Sequence, residues 1–393
     1  MDAFYQRLSL RAATIDELFS AAFAVAPNPA VDCDLSARLA AQRLAAWRQS
    51  SAAGDVSLFA RRLARDGLSG GEVESRFTGA QRGPSAPHPA WLEDAIWIEA
   101  ALQASGTEPG ATPAYPFEDL FAVLIERAAA LVWSGLDVST SANFAETARA
   151  CLQDALLAAV TELGAPALYE RFAKKRSAGP SSNAAKSPGE PAGTSHYREF
   201  IAEMRSGGFR GLFEDKPVLL RLIAVMTRQW VDATREFILR LAGDMPAIRR
   251  DLVRGSAIDK IVDITSSISD PHNGGRSVLI LRFADGARIV YKPKDLRLDV
   301  AWRGLVEQLN GAGAPISLKA LRSLARDGYG WTEFIEHLGC ADARGCEAFF
   351  QRAGAWLALL HCFAATDMHQ ENMIAAGDHP VPIDLETILQ PSA

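Results

Sequence analysis

The period of the hydrophobic pattern changes once along this chain, near residue 260, and that change constrains the fold more than any other feature. Before it, "AIWIEAALQA", "FEDLFAVLIERAAALVW" and "FAETARACLQDALLAAVTELGAPALYERFAKK" carry apolar residues three and four apart, as amphipathic helices require. The Pro- and Gly-bearing stretches "QRGPSAPHPA" and "GTEPGATPAYP" separate them. Residues 176–196, "RSAGPSSNAAKSPGEPAGTSH", hold almost no large apolar side chain, so burial cannot offset the entropy of ordering them, and they read as a mobile surface loop. Helical spacing returns in "YREFIAEMRSGG" and "PVLLRLIAVMTRQWVDATREFILRLAGDM", where Pro217 suits a first turn and Arg228, Asp232 and Arg235 mark a solvent face.

After residue 260 the alternation is that of strands. "SVLILRF" and "ARIVYKP" flank a tight turn at Asp285 and Gly286. A helix follows in "LRLDVAWRGLVEQLN", with Leu298, Trp302, Leu305 and Leu309 as its stripe. "GYGWTEFIEHLG" reads as a strand and connector. A second helix carries Phe349, Ala353, Trp356, Leu360 and Phe363, and "NMIAA" and "VPIDLE" form a hairpin across "GDHP". The expected class is therefore α+β: a mainly helical N-terminal region (1–175), the loop (176–196), further helices (197–260) and a small sheet with helices (261–393). A length of 393 residues exceeds what one core organises.

A net charge of -6 excludes a general nucleic-acid footprint. Asp16 and Glu17 before "LFSAAFAVA" favour a first amphipathic helix over a signal peptide. No apolar run is long enough for a transmembrane segment. The five cysteines form no zinc spacing and read as reduced, mostly buried side chains of a cytoplasmic protein.

The chemistry concentrates in "TDMHQENMIAAGDHPVPIDLETI". Hairpin, helix, strand, buried helix, polar turn and second hairpin follow in the order by which a kinase-like fold assembles a phosphoryl-transfer site. Such a site needs cations on the phosphates and a carboxylate for the acceptor hydroxyl proton. Asn372 and Asp384, one on each side of the hairpin, are the candidate Mg²⁺ ligands, because Mg²⁺ takes one or two hard protein oxygens. Asp367 is the candidate general base, and His369 is either a phosphate contact or a brace. Lys292, closing its strand, is the candidate phosphate cation. In "DPHNGGRS", Asp270, His272, Gly274, Gly275 and Arg276 share a turn where glycine lets backbone N–H groups approach a phosphate and Arg276 adds charge. Glu307 is a candidate ion-pair partner of Lys292, and Tyr329, Gly330 and Trp331 are placed behind a nucleotide base. The competing structural readings are turn capping by Asp367 and Asn372, an ordinary turn at the glycines, a solvated Glu307 and plain strand core at Trp331.

"DPHNGGRSV", "IVYKPKDL", "DGYGWTEFIE" and "GAWLALLHCFAATDMHQENMIAAGDHPVPIDLETIL" together resemble the dehydratase domain of class II lanthipeptide synthetases, the LanM-type lantibiotic enzymes. The resemblance covers about residues 195–390 and, more loosely, the helical part before them. It implies a lipid-kinase-like core that phosphorylates Ser and Thr of a ribosomal precursor peptide with ATP and Mg²⁺, then eliminates phosphate to leave dehydroamino acids. Lys292 resembles the family's phosphate-binding lysine, Asp367 its catalytic aspartate, His369 and Asn372 the loop partners, Asp384 the second metal ligand, and Asp270 and His272 the phosphate-loop residues. Family members continue past "DLETIL" into elimination and cyclase segments. The resemblance thus implies a fragment, split product or remnant with an incomplete C-lobe, its missing part supplied by a separate chain, and no thioether cyclisation. The alternative is an inactive module that binds the leader peptide or a partner.

Overall fold

The structure, a computed structural model, describes residues 2–25, 33–83, 86–104, 113–178, 194–253, 260–266 and 272–389. The chain forms two compact units, each made of two stretches: Met1–Leu124 with Thr161–Arg228, and Ile125–Val160 with Gln229–Ala393. The class is α+β.

The first unit is almost wholly helical. Its helices begin where the sequence supplies caps: Thr14 and Ser69 each close a capping box with the Glu three residues on, Glu17 and Glu72. The stretch "LFSAAFAVA" is not one helix, however. A short helix Ile15–Phe19 ends there and β1 (Phe23–Val25) pairs antiparallel with β2 (Ala80–Arg82), because Leu18 and Phe23 bury against Ala13 and Ala80. Of the Ser/Gly/Pro-rich segment, residues 176–178 close the helix Glu146–Ala178 and 194–196 open the helix Thr194–Glu203; residues 179–193 lie outside the described residues.

The second unit holds an antiparallel sheet in the order β3-β4-β5-β7-β6, with β3 (Ile261–Thr265), β4 (Leu279–Phe283), β5 (Arg288–Lys292), β6 (Ser323–Arg326) and β7 (Tyr329–Glu333). The β4–β5 turn is the expected one, Gly286 taking φ 89° while Gly286 N donates to Phe283 O at 3.0 Å. Residues of the helix Pro217–Asp251 from 229 onward pack on this sheet: the Phe237 ring lies 5.2 Å from Tyr291, which lies 4.9 Å from Trp331. Asp244 on that helix is buried and accepts from Trp331 Nε1 (2.9 Å), Tyr329 Oη (2.9 Å) and Arg326 Nε (2.6 Å), so a buried carboxylate is satisfied three times over. Trp331 is thereby core of the sheet, with Tyr329 half-buried beside it.

A second core joins the helices Arg297–Gly311 and Ala343–Cys362. Trp302 and Trp356 stack at 6.0 Å amid Leu318, Leu360, Leu385 and Ile388. The hairpin β8 (Met373–Ala376) and β9 (His379–Pro382) is attached through Trp356 Nε1, which donates to Pro380 O at 2.8 Å. The buried stripe of Arg297–Gly311 runs through Asp299, Trp302 and Val306, with Leu298 and Leu305 only half-buried beside it. Of the cysteines, Cys151, Cys340, Cys346 and Cys362 are free, and none of these four is buried: Cys346 and Cys362 lie on the exposed side of their helix. Among the described residues no helix is long and apolar enough to cross a membrane.

Candidate functional site

Lys292 ends β5 opposite Gly330 of β7, and its ammonium is buried, 7% of the residue remaining exposed. A buried cation needs partners. Lys292 Nζ donates to Ile383 O, on the strand extension leading to Asp384. Burial pushes its pKa down, while the carboxylates of Asp299, Asp384 and Glu386 oppose that shift. Asp299, first of these, is itself buried, and burial holds its carboxyl above the ordinary range despite Lys292 and Lys294 nearby. Glu307 is not the partner of Lys292. It faces solvent and pairs with Arg303 at 3.0 Å one turn away. The signal for Asp299 was present in the sequence: Asp299, Trp302 and Val306 are spaced i, i+3, i+7, which puts a carboxylate on the apolar stripe.

Lys294, two residues past Lys292, reaches the same place. Its Nζ lies 2.5 Å from Asp384 Oδ1 and 2.8 Å from Glu386 Oε2. Burial works against its charge, but these hydrogen bonds prevail and raise its pKa. Asp384 and Glu386 are presented by their apolar neighbours: Leu385 and Ile388, 3% and 5% exposed, anchor the segment in the Trp302–Trp356 core and leave the intervening polar side chains outside it.

The polar turn is tied to this segment at two points. Asp367 N donates to Thr387 Oγ1 at 3.2 Å, and Ile383 N donates to Asn372 O at 2.9 Å. Within the turn, Asn372 Nδ2 donates to Asp367 O at 2.8 Å. Glu371 N donates to His369 Nδ1 at 3.2 Å, and His369 Nε2 stands 3.3 Å from Asn372 Nδ2 and 3.7 Å from Asp367 Oδ1. The Asp367 side chain is 64% exposed. Lys292, Asp384, Asn372, His369 and Asp367 thus fall on one linked set of segments that the sequence spreads over 90 positions.

The His272–Arg276 turn is built differently. His272 and Arg276 exchange backbone hydrogen bonds at 2.8 and 2.9 Å, and Asn273, Gly274 and Gly275 all take positive φ between them. A Cβ at Gly275 would stand 2.9 Å from Gln229 Cβ, so glycine lets the turn close on the helix Pro217–Asp251. Arg276 Nε donates to Glu236 at 2.8 Å on that helix. Among the described residues no acceptor is recorded for the N–H groups of Gly274 and Gly275, and no hydrogen bond runs from this turn to Lys292, Asp384 or the polar turn. Asp270 lies outside the described residues.

The donor set fits a magnesium nucleotide in its chemistry. Asn372 uses its nitrogen within the turn and Asp384 uses Oδ1, so that among the described residues Asn372 Oδ1 and Asp384 Oδ2 have no hydrogen-bond donor. One neutral and one anionic hard oxygen is a set that Mg²⁺ completes with phosphate oxygens and water. Among the described residues no group of three or more His, Cys, Asp or Glu gathers as an all-protein metal cage.

Comparison with known proteins places these residues in context. Residues 217–393 match the model of a domain of unknown function, DUF4135. Over 143 residues, 33% of this chain, the sequence is 27% identical to the Lacticin 481/lactococcin biosynthesis protein LcnDR2 of Lactococcus lactis subsp. lactis. The match spans 15% of that relative's length. By these two likenesses residues 217–393 are similar to the DUF4135 domain, and a third of the chain is distantly similar to a lantibiotic biosynthesis protein.

Proposed function

We propose that this site transfers the γ-phosphoryl group of ATP to Ser and Thr hydroxyls of a ribosomal precursor peptide, the first half of a LanM-type dehydration, on a lipid-kinase-like core in the cytoplasm. The observation that carries the reading is the joint placement of the buried Lys292 ammonium, Asp384 and the Asp367–Asn372 turn, tied by the bonds at Ile383 and Thr387. A bound magnesium nucleotide would supply the transferable phosphoryl group and offset its charge. Asn372 Oδ1 and Asp384 would hold the metal. Lys292, fixed by Ile383 O, presents a pre-oriented positive charge that needs no reorganisation during transfer. Asp367, open to solvent, is accessible to a peptide hydroxyl and accepts or orients its proton, with the His369 imidazole beside the carboxylate to steady it. The glycine turn at Gly274 and Gly275, with His272, would offer backbone amides to phosphate, with Arg276 bonded to Glu236 behind them. Elimination of phosphate is assigned to no residue here. The relative named for lacticin 481/lactococcin biosynthesis supports a precursor peptide as the partner.

The test is incubation of the full chain with ATP, Mg²⁺ and a cognate ribosomal precursor peptide, followed by intact-mass analysis. The expected product is a phosphorylated peptide, absent with Lys292→Met. A folded chain that binds the peptide yet never adds phosphate contradicts the proposal and leaves the binding-module alternative.

A further inference from the structure

Two lysines leave the end of β5, and they do different things. Lys292 bonds a backbone carbonyl, whereas Lys294 bonds two carboxylates. The position of Lys294 is built in. Past Pro293 the chain is pinned by Leu296, which is fully buried and lies where a Gly330 side chain would stand, 2.5 Å from an added Cβ. Asp384 and Glu386 flank the buried Leu385 and both bond the Lys294 ammonium, whose side chain is 28% exposed. The ammonium therefore sits on Asp384 Oδ1, within a few ångströms of a divalent cation held by the other oxygen of the same carboxylate. An ammonium and a metal dication a few ångströms apart repel each other.

Resting on the phosphoryl-transfer reading, we propose that Lys294 is a built-in counterion that holds Asp384 and Glu386 in the unloaded site and yields Asp384 when a divalent cation is bound, its ammonium then turning to the anionic phosphates. The flexible four-carbon stem permits that movement from a fixed backbone. Lys294 is a positioning residue in this scheme: it sets the order of loading, since metal without nucleotide must compete with it, and metal with nucleotide gives the displaced charge a new partner.

The test uses Mn²⁺ as the probe and electron paramagnetic resonance of free Mn²⁺ as the readout, on the full chain without nucleotide. Lys294→Met and Lys294→Gln should both bind Mn²⁺ roughly tenfold more tightly than the wild type, the repulsion being discounted for partial exposure. With ATP present the advantage should vanish or reverse, because the variants lack the charge that would pair with phosphate. A permanent brace predicts the opposite, Mn²⁺ affinity unchanged or weakened in both folded variants, and that result overturns the proposal while leaving the phosphoryl-transfer reading intact. If no folded form of the chain binds Mn²⁺ with or without ATP, the phosphoryl-transfer reading itself falls, and this proposal with it.

Discussion

The polar turn Asp367–Asn372 and the glycine turn His272–Arg276 look alike in sequence, each a short run of polar residues beside a strand, yet they dispose of their polar groups in opposite ways. The first holds itself with backbone atoms and the nitrogen of Asn372, so the Asp367 carboxylate and Asn372 Oδ1 stay open. The second consumes its charged side chain internally, Arg276 on Glu236, and uses Gly275 to seat against Gln229. Among the described residues, the backbone N–H groups of Gly274 and Gly275 are what is left there without an acceptor. The lesson is that residue type and spacing identify a cluster, but the neighbours in space decide which of its atoms serve the fold and which remain for a ligand.

The largest effect that could break this contrast is at Asp367. Asp367→Asn should lower the rate of peptide phosphorylation by about 10²- to 10⁴-fold, with stability unchanged within about 0.5 kcal/mol because the side chain is exposed. Rate measurement beside a denaturation curve checks both halves. A large loss of stability instead would make Asp367 part of the fold.

Next comes the glycine turn. Gly275→Ala combines φ +85° with a 2.9 Å approach to Gln229 Cβ and should cost about 2 to 4 kcal/mol of stability. Gly274→Ala, at φ +83° with only Arg276 Nη1 at 3.7 Å, should cost about 1 kcal/mol. Urea denaturation of the pair sharpens the comparison, since equal losses would mean that the seat on the helix contributes nothing.

Asp299 gives a pH signature. Its carboxyl titrates above the ordinary 3.8 in the folded state, so between 3.8 and that raised value the native chain binds more protons than the unfolded one. Its contribution to stability is therefore complete below the ordinary value and is lost as pH rises through the folded one, with a slope of at most about 1.4 kcal/mol per pH unit. Asp299→Asn should remove that slope from a series of denaturation curves across acidic pH. The smallest effect belongs to Arg276→Met, which breaks a half-exposed pair with Glu236 and should cost about 1 kcal/mol or less, read as a small drop in melting temperature.

The parts of the fold that could be read from sequence are those set by local rules. The Asp285–Gly286 turn, the helix starting at Pro217, and the hairpin across residues 377–380 each follow from backbone preferences and nearest-neighbour periodicity. Elements fixed by distant partners could not be read so. Phe23–Val25 is a strand because Ala80–Arg82 pairs with it, and β6 exists because β7 lies beside it. The site divides the same way. Spacing singled out Asp367, His369, Asn372 and Asp384, whereas Asp299 was hidden by reading the helix stripe one residue off, at Leu298 rather than on the Asp299–Trp302–Val306 face. Lys294 was hidden by its partners, which stand about ninety positions further on.

The central claim is that Lys292, Asp367, Asn372 and Asp384 gather around a metal-bound nucleotide. Calorimetric titration of the full chain with ATP, with and without Mg²⁺, on wild type and on Asp384→Asn, tests it most directly. Nucleotide binding that requires the cation and disappears in Asp384→Asn is the predicted result. A folded wild type that ignores the nucleotide, or binds it equally well without Mg²⁺ and without the Asp384 carboxylate, contradicts the account.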